Sequence, residues 1–152
     1  VAGNWFGLDV TGSAAAGSGG AGLNLWRTAD SVIGGSTAAD RNVFSGNGQG
    51  LTINTDDGTG TGNRVIGNYF GTDASGTAAV GNATHGLWVN TAGNFIGGAL
   101  PGEGNVISGT AIWVGLELTA SASGTLIAGN LIGLGADGST VLGNDGHGIT
   151  LA

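Results

Sequence analysis

The chain has 152 residues, of which 35 are Gly, one is Pro and none is Cys or Met; three Lys/Arg stand against ten Asp/Glu, a net charge of -7. Its cations are three isolated arginines (Arg27, Arg41, Arg64), which excludes the positive footprint of a nucleic-acid binder, and no apolar run approaches the ~20 residues that span a bilayer. Without cysteine there is neither a disulfide framework nor a thiolate metal site, while 40% apolar against 9% charged residues is far from the composition of a disordered chain.

In chain order, short apolar runs of three kinds follow one another. Asn4 with Phe6 two places on comes first, then the alternating run Leu23-Asn24-Leu25, then Val32-Ile33. The cycle returns as Asn42/Phe44, Leu51-Thr52-Ile53 and Val65-Ile66, then as Asn68/Phe70, Leu87-Trp88-Val89 and Phe95-Ile96. It continues as Asn105/Ile107, Ile112-Trp113-Val114 and Leu126-Ile127, and ends with Asn130/Ile132 and Ile149-Thr150-Leu151. Alternation of apolar and variable residues reads as a half-buried strand with its first and third residues inward.

A longer repeat lies over this cycle. The segments Asn4–Trp26, Asn68–Asn90 and Asn130–Ala152 align without gaps and share glycines at five-residue spacing. Loops after Asn4, Asn68 and Asn130 are long, and those after Asn42 and Asn105 are short; turns counted from Leu23 to Leu51, Leu87, Ile112 and Ile149 take 28, 36, 25 and 37 residues. Three short strands recurring in fixed order predict an all-β chain folded as a parallel β-helix, or β-solenoid. The expectation is three strands per coil and a little over four coils, with long-loop and short-loop coils alternating. Residues 1–152 then form a single solenoid segment, two copies of a two-coil repeat plus a partial third. The antiparallel sandwich, the competing fold, has no reason for a three-strand cycle.

Asn4, Asn42, Asn68, Asn105 and Asn130 fall where each coil turns a corner. An inward amide there can donate to one neighbouring coil and accept from the other, so these five are expected to form a structural ladder.

The phrases NVFSGNGQGLTI, GNRVIGNYFGTDASGTAAVGN and NFIGG…GNVISG resemble the tandem right-handed β-helix repeats of very large bacterial secreted or surface proteins, described as adhesin-like or β-strand repeat proteins. The resemblance covers nearly the whole chain and implies a right-handed solenoid on a cell surface or secreted. The wider β-helix class also contains polysaccharide lyases and hydrolases, so the resemblance speaks to fold before function. The last repeat departs from the pattern, with Gly135 in place of the Asp of the GTDxSGT phrase and Asp137 two places later.

Candidate sites are few. Asp9 and Asp73 occupy equivalent positions two coils apart, ~9.6 Å at ~4.8 Å per coil, near the upper end of the spacing of an inverting glycosidase pair. Each also lies in an Asp-x-(Thr/Ser)-Gly turn, where a carboxylate caps local amides, and that reading is preferred. Asp56-Asp57-Gly58, Asp73 and Asp137-Gly138 offer oxygen ligands suited to calcium, although none has a complete ligand set; no cofactor is expected. His85 and His147 read as turn residues. Trp88 and Trp113 are placed at the middle outward position of consecutive coils, where they would stack; Trp5 and Tyr69 belong to a second outward column with Val43, Val106 and Leu131. These four aromatics make a candidate contact surface.

Val1-Ala2-Gly3-Asn4 matches Ile127-Ala128-Gly129-Asn130, and the chain stops at Leu151-Ala152 within a coil, so neither end reads as capped. The expected partners are copies of the chain or adjoining repeats, end to end, with surface glycans as a further class. The functional expectation is a non-enzymatic extracellular structural module: a rigid stalk, adhesin segment or head-to-tail filament subunit. The alternative is a carbohydrate-binding or polysaccharide-cleaving β-helix.

Overall fold

The computed structural model describes all of Val1–Ala152. It has no helix and fourteen strands: β1 (Trp5–Phe6), β2 (Ala21–Trp26), β3 (Val32–Gly34), β4 (Val43–Phe44), β5 (Gln49–Asn54), β6 (Arg64–Ile66), β7 (Tyr69–Phe70), β8 (His85–Val89), β9 (Phe95–Gly97), β10 (Val106–Ile107), β11 (Val114–Leu118), β12 (Leu126–Ala128), β13 (Leu131–Ile132) and β14 (Ile149–Leu151). They interleave by threes into sheets β1-β4-β7-β10-β13, β2-β5-β8-β11-β14 and β3-β6-β9-β12. All strand pairs are parallel, so the chain is a parallel β-helix with three strands per coil.

One face of each strand is apolar, and parallel pairing in register stacks like on like. The first sheet points Phe6, Phe44, Phe70, Ile107 and Ile132 inward. The first three rings lie 4.7 and 5.0 Å apart, nearly parallel, which adds aromatic contact of about 0.5–1.5 kcal/mol per pair to the burial itself. The second sheet contributes Leu23, Leu51, Leu87, Leu116 and Ile149, and the third Ile33, Val65, Ile96 and Ile127. Apart from Ile149, which is exposed in the last coil, these columns converge on one core along the solenoid.

The fourth coil corrects one expectation. Ile112-Trp113-Val114 is not the inward strand of that coil; Leu116-Glu117-Leu118 is, with Leu116 opposite Leu87 and Glu117 opposite Trp88. From Leu87 to Leu116 the coil takes 29 residues, not 25. The cause is the residue before the alternating run. A Cβ at Gly50 would meet Gly86 O at 2.3 Å, and one at Gly86 would meet Gly115 O at 2.6 Å. That close approach between coils admits only glycine. Ala111 precedes Ile112, whereas Gly115 precedes Leu116, so the chain slides until the glycine fits.

Between first and second sheets the connection alternates. After β1, β7 and β13 it is a narrow arch closed by an antiparallel bridge: Leu8 with Ala15, Thr72 with Ala79, and Leu134 with Val141. After β4 and β10 it is short. The arches meet over these shorter coils, where Ala74 N donates to Gly12 O and Ala136 N to Gly76 O, both at 2.8 Å.

Candidate functional site

Each corner of the solenoid buries turn backbone that must find partners without water. At the corner before the first sheet, the Nδ2 groups of Asn4, Asn42, Asn68 and Asn105 donate to the Oδ1 of the next asparagine in the series, ending on Asn130, at 2.9–3.2 Å. The main-chain N–H of each of these four donates to the same oxygen. Each Nδ2 from Asn42 onward also reaches back to a main-chain carbonyl of an earlier coil, Val1, Ile33, Val65 and Ile96 in turn. Asn42, Asn68 and Asn105 are completely buried.

Two further corner columns escaped the sequence reading. Asn63 N and Nδ2 both donate to Asn94 Oδ1, Ser31 N donates to Asn63 Oδ1, and Asn94 N donates to Thr125 Oγ1. At the remaining corner Ser18 N, Asn47 N and Thr110 N donate to Asn47, Asn82 and Asn144 Oδ1 respectively. That column breaks at Thr110, whose buried Oγ1 has no partner. The recurring pairs Gly46-Asn47, Gly81-Asn82 and Gly143-Asn144, against Gly109-Thr110, were the available signal.

The arches consume their own aspartates. Asp9 accepts from the Thr11 hydroxyl and the Ser13 and Ala14 amides, and Asp73 from the Ser75 hydroxyl and the Thr77 and Ala78 amides. Asp137 accepts from the Ser139 and Thr140 amides and the Thr140 hydroxyl. The Thr140 hydroxyl and amide and the Ser139 amide hold the Asp137 carboxyl down at about 2. The Thr11 hydroxyl lowers Asp9. For Asp73 burial is the largest single influence and acts upward, yet the Ser75 hydroxyl and the Ala78 and Thr77 amides together outweigh it.

Asp56 and Asp57 sit elsewhere, beyond β5, where Arg27 pairs with both. Asp57 also takes the Thr59 and Thr55 hydroxyls and the Thr59 amide, which hold it well below the usual carboxylate range. No three acidic or histidine side chains come together as a metal cage anywhere in the chain.

The outer face of the second sheet carries the column Asn24, Thr52, Trp88, Glu117, Thr150. Trp88 and Trp113 are therefore not stacked neighbours. Trp113 lies ahead of β11, 57% exposed, its ring 5.3 Å from the ring of His85. His85 is no turn residue: it is buried in β8 with Nε2 2.8 Å from Glu117 Oε2 and Nδ1 beside Thr84 Oγ1 and Gln49 Nε2. Trp88, half-buried, borders a recess of about 350 Å³ with Asn24, Gln49, Thr52 and Asn54. His147 stays exposed.

On the outer face of the first sheet, Trp5, Val43, Tyr69, Val106 and Leu131 are paired in one column. The arches lie against it, Gly12 on the Trp5 ring and Gly76 on the Tyr69 ring, and the Arg41 guanidinium lies over the Tyr69 ring. Trp5 remains half exposed, but Tyr69 is buried and leaves the candidate contact surface. Comparison with protein-family models, with curated proteins and with solved structures finds no match for the chain.

Proposed function

We propose that the chain is a non-enzymatic structural module of a secreted or cell-surface protein, a rigid rod serving as stalk, adhesin segment or filament subunit in the manner of bacterial β-strand repeat proteins. The observation that carries this reading is the asparagine ladder from Asn4 to Asn130, in which each step ties two coils by a main-chain and a side-chain donor on one oxygen. A buried network with its donors and acceptors satisfied is stiff, because bending the axis opens a gap that no water can fill. The arch carboxylates support the same reading, since each spends its lone pairs on its own loop. Neighbouring repeats, or copies of the chain, would continue the coils end to end, and no cofactor takes part.

Electron microscopy of the native material tests the proposal. Straight rods or filaments of uniform width, with axial order at multiples of ~4.8 Å, are the expected result. Compact separate particles would overturn it.

Carbohydrate binding is the second reading, favoured by the exposed Trp113 ring over His85 and the recess beside Trp88. A glycan that binds the native chain and is lost on Trp88→Ala or Trp113→Ala, with the melting temperature unchanged, would establish it.

A further inference from the structure

The first-sheet corner has a repeating local sequence: Gly3-Asn4, Gly67-Asn68, Gly104-Asn105 and Gly129-Asn130. At the second coil the pair is Arg41-Asn42, so a long cation stands where the other four coils have glycine. It is not there to balance a local acid. Arg27 is paired with Asp56 and Asp57, and Arg64 with Glu103, but Arg41 has no carboxylate partner in a chain of net charge -7. Its guanidinium lies 4.1 Å from the Tyr69 ring centroid, and its Nε is shielded from solvent with nothing to donate to. Desolvating a guanidinium donor without an acceptor is unfavourable, and stacking on a ring offsets only part of the cost.

Arg41 also stands at one side of the largest recess of the molecule, about 530 Å³, within the range of small-molecule sites. Beneath it Tyr69 and Val106 are buried and Leu131 is half-buried, and the apolar lining that stays accessible is Leu131 with Leu100, Pro101 and the arch residue Ala136. Glycines 98, 102, 104 and 129 line it too, and these can offer only main-chain N–H and C=O. The recess therefore presents a forked cation, an apolar strip and a polar main-chain wall. The strands β7 and β10 beneath the recess are paired on both sides and offer no edge to an extended peptide, whereas β13 ends the sheet.

We propose that this recess binds a sugar acid, with the carboxylate on the Arg41 guanidinium, the C–H face of the ring on Leu100 and Leu131, and hydroxyls on the glycine wall. A carboxylate matches the Arg fork in a bidentate, charge-assisted pair, and a polyol supplies the donors that carbonyls accept. This is a different surface from the Trp88 and Trp113 face, and it does not rest on the rod reading of the chain.

The test is titration of the native chain with sodium galacturonate, galactose and sodium acetate, followed by amide chemical shifts. Arg41→Gly is the decisive variant because it installs the residue that the other coils already carry at this place; Arg41→Lys keeps the charge and removes the fork. The expected result is saturable galacturonate binding that shifts Leu100 and Leu131, with galactose, acetate and Arg41→Gly each weaker by about tenfold or more, the scale of one charge-assisted hydrogen-bonded pair. A melting temperature of Arg41→Gly equal to that of the native chain separates lost binding from lost fold. The proposal fails if galacturonate does not bind, if galactose binds equally, or if Arg41→Gly binds as before. Equal affinity for acetate would also overturn it, reducing the recess to an anion trap.

Discussion

Asp137 holds in the third arch the same two main-chain amides that Asp73 holds in the second, although it stands two residues later in its repeat. Ser139 and Thr140 align with Thr77 and Ala78, so the arch conserves the capped amides and not the place of the carboxylate. Asp137 takes the position of Ser75, whose hydroxyl in the second arch bonds to Asp73. Asp137→Ser should therefore lower the melting temperature near neutral pH, and adding Gly135→Asp should restore it by rebuilding the phrase of the second arch. A double variant no better than the single one would show that the two arches differ in more than the carboxylate.

The same carboxyl sets a pH dependence. Because the folded state holds Asp137 at about 2, below the ordinary 3.8, the chain in its unfolded form takes up the proton first on acidification. Its contribution to stability is complete above about 3.8 and disappears as pH falls through about 2. The melting-temperature gap between the native chain and Asp137→Ser should be constant from pH 7 to 5 and narrow between pH 4 and 2. A gap that persists unchanged at pH 2 would mean that the carboxylate charge plays no part.

Thr110 marks a gap that can be filled. It interrupts the Asn47, Asn82, Asn144 column and leaves its own hydroxyl buried and unpaired. Thr110→Asn should give the Asn82 amide the acceptor that Asn47 has, adding about 1 kcal/mol, or roughly 2–4 °C in melting temperature for a chain of this size. Destabilisation would show that the fourth coil cannot seat the amide.

The register of the fourth coil is open to direct trial. Leu116→Ala should cost about 2–5 kcal/mol, the range for a buried leucine, whereas Ile112→Ala, at a residue 68% exposed, should stay within about 0.5 kcal/mol. Reversed magnitudes, measured by chemical denaturation, would restore the register in which Trp88 faces Trp113.

Glu117→Ala removes the partner of a buried ring nitrogen. Leaving His85 Nε2 without its hydrogen bond should cost about 1–3 kcal/mol and alter the fluorescence of Trp113, whose ring packs on His85. Unchanged emission would separate Trp113 from that pair.

The three-strand cycle was legible because parallel pairing in register repeats inward residues once per coil, so Phe6, Phe44 and Phe70 announce themselves as a column. The fourth coil was missed because Ile112-Trp113-Val114 and Leu116-Glu117-Leu118 alternate equally well, and the register rests on the residue before the run: Gly precedes Leu23, Leu51, Leu87 and Ile149, as it does Leu116, and the contact of one backbone with the next is the reason. The His85–Glu117 pair was hidden for the same reason: it depends on register between coils, which shifts with every loop length. The Arg41 recess was invisible in a different way, since its floor, wall and cation come from four separate coils and meet only when the solenoid closes.

The arches on alternate coils have a consequence for how such a chain can change length. Since Gly12 bonds to Ala74 and Gly76 to Ala136 across an archless coil, each coil carries a parity. Inserting or deleting a single coil would bring two arches onto adjacent layers, or leave two archless layers side by side. Duplication and recombination are viable only in pairs of coils, steps of about 9.6 Å at ~4.8 Å each. Length in this architecture thus changes by even numbers of coils, and a variant that gains or loses an odd number should be purged at the arches long before its core complains.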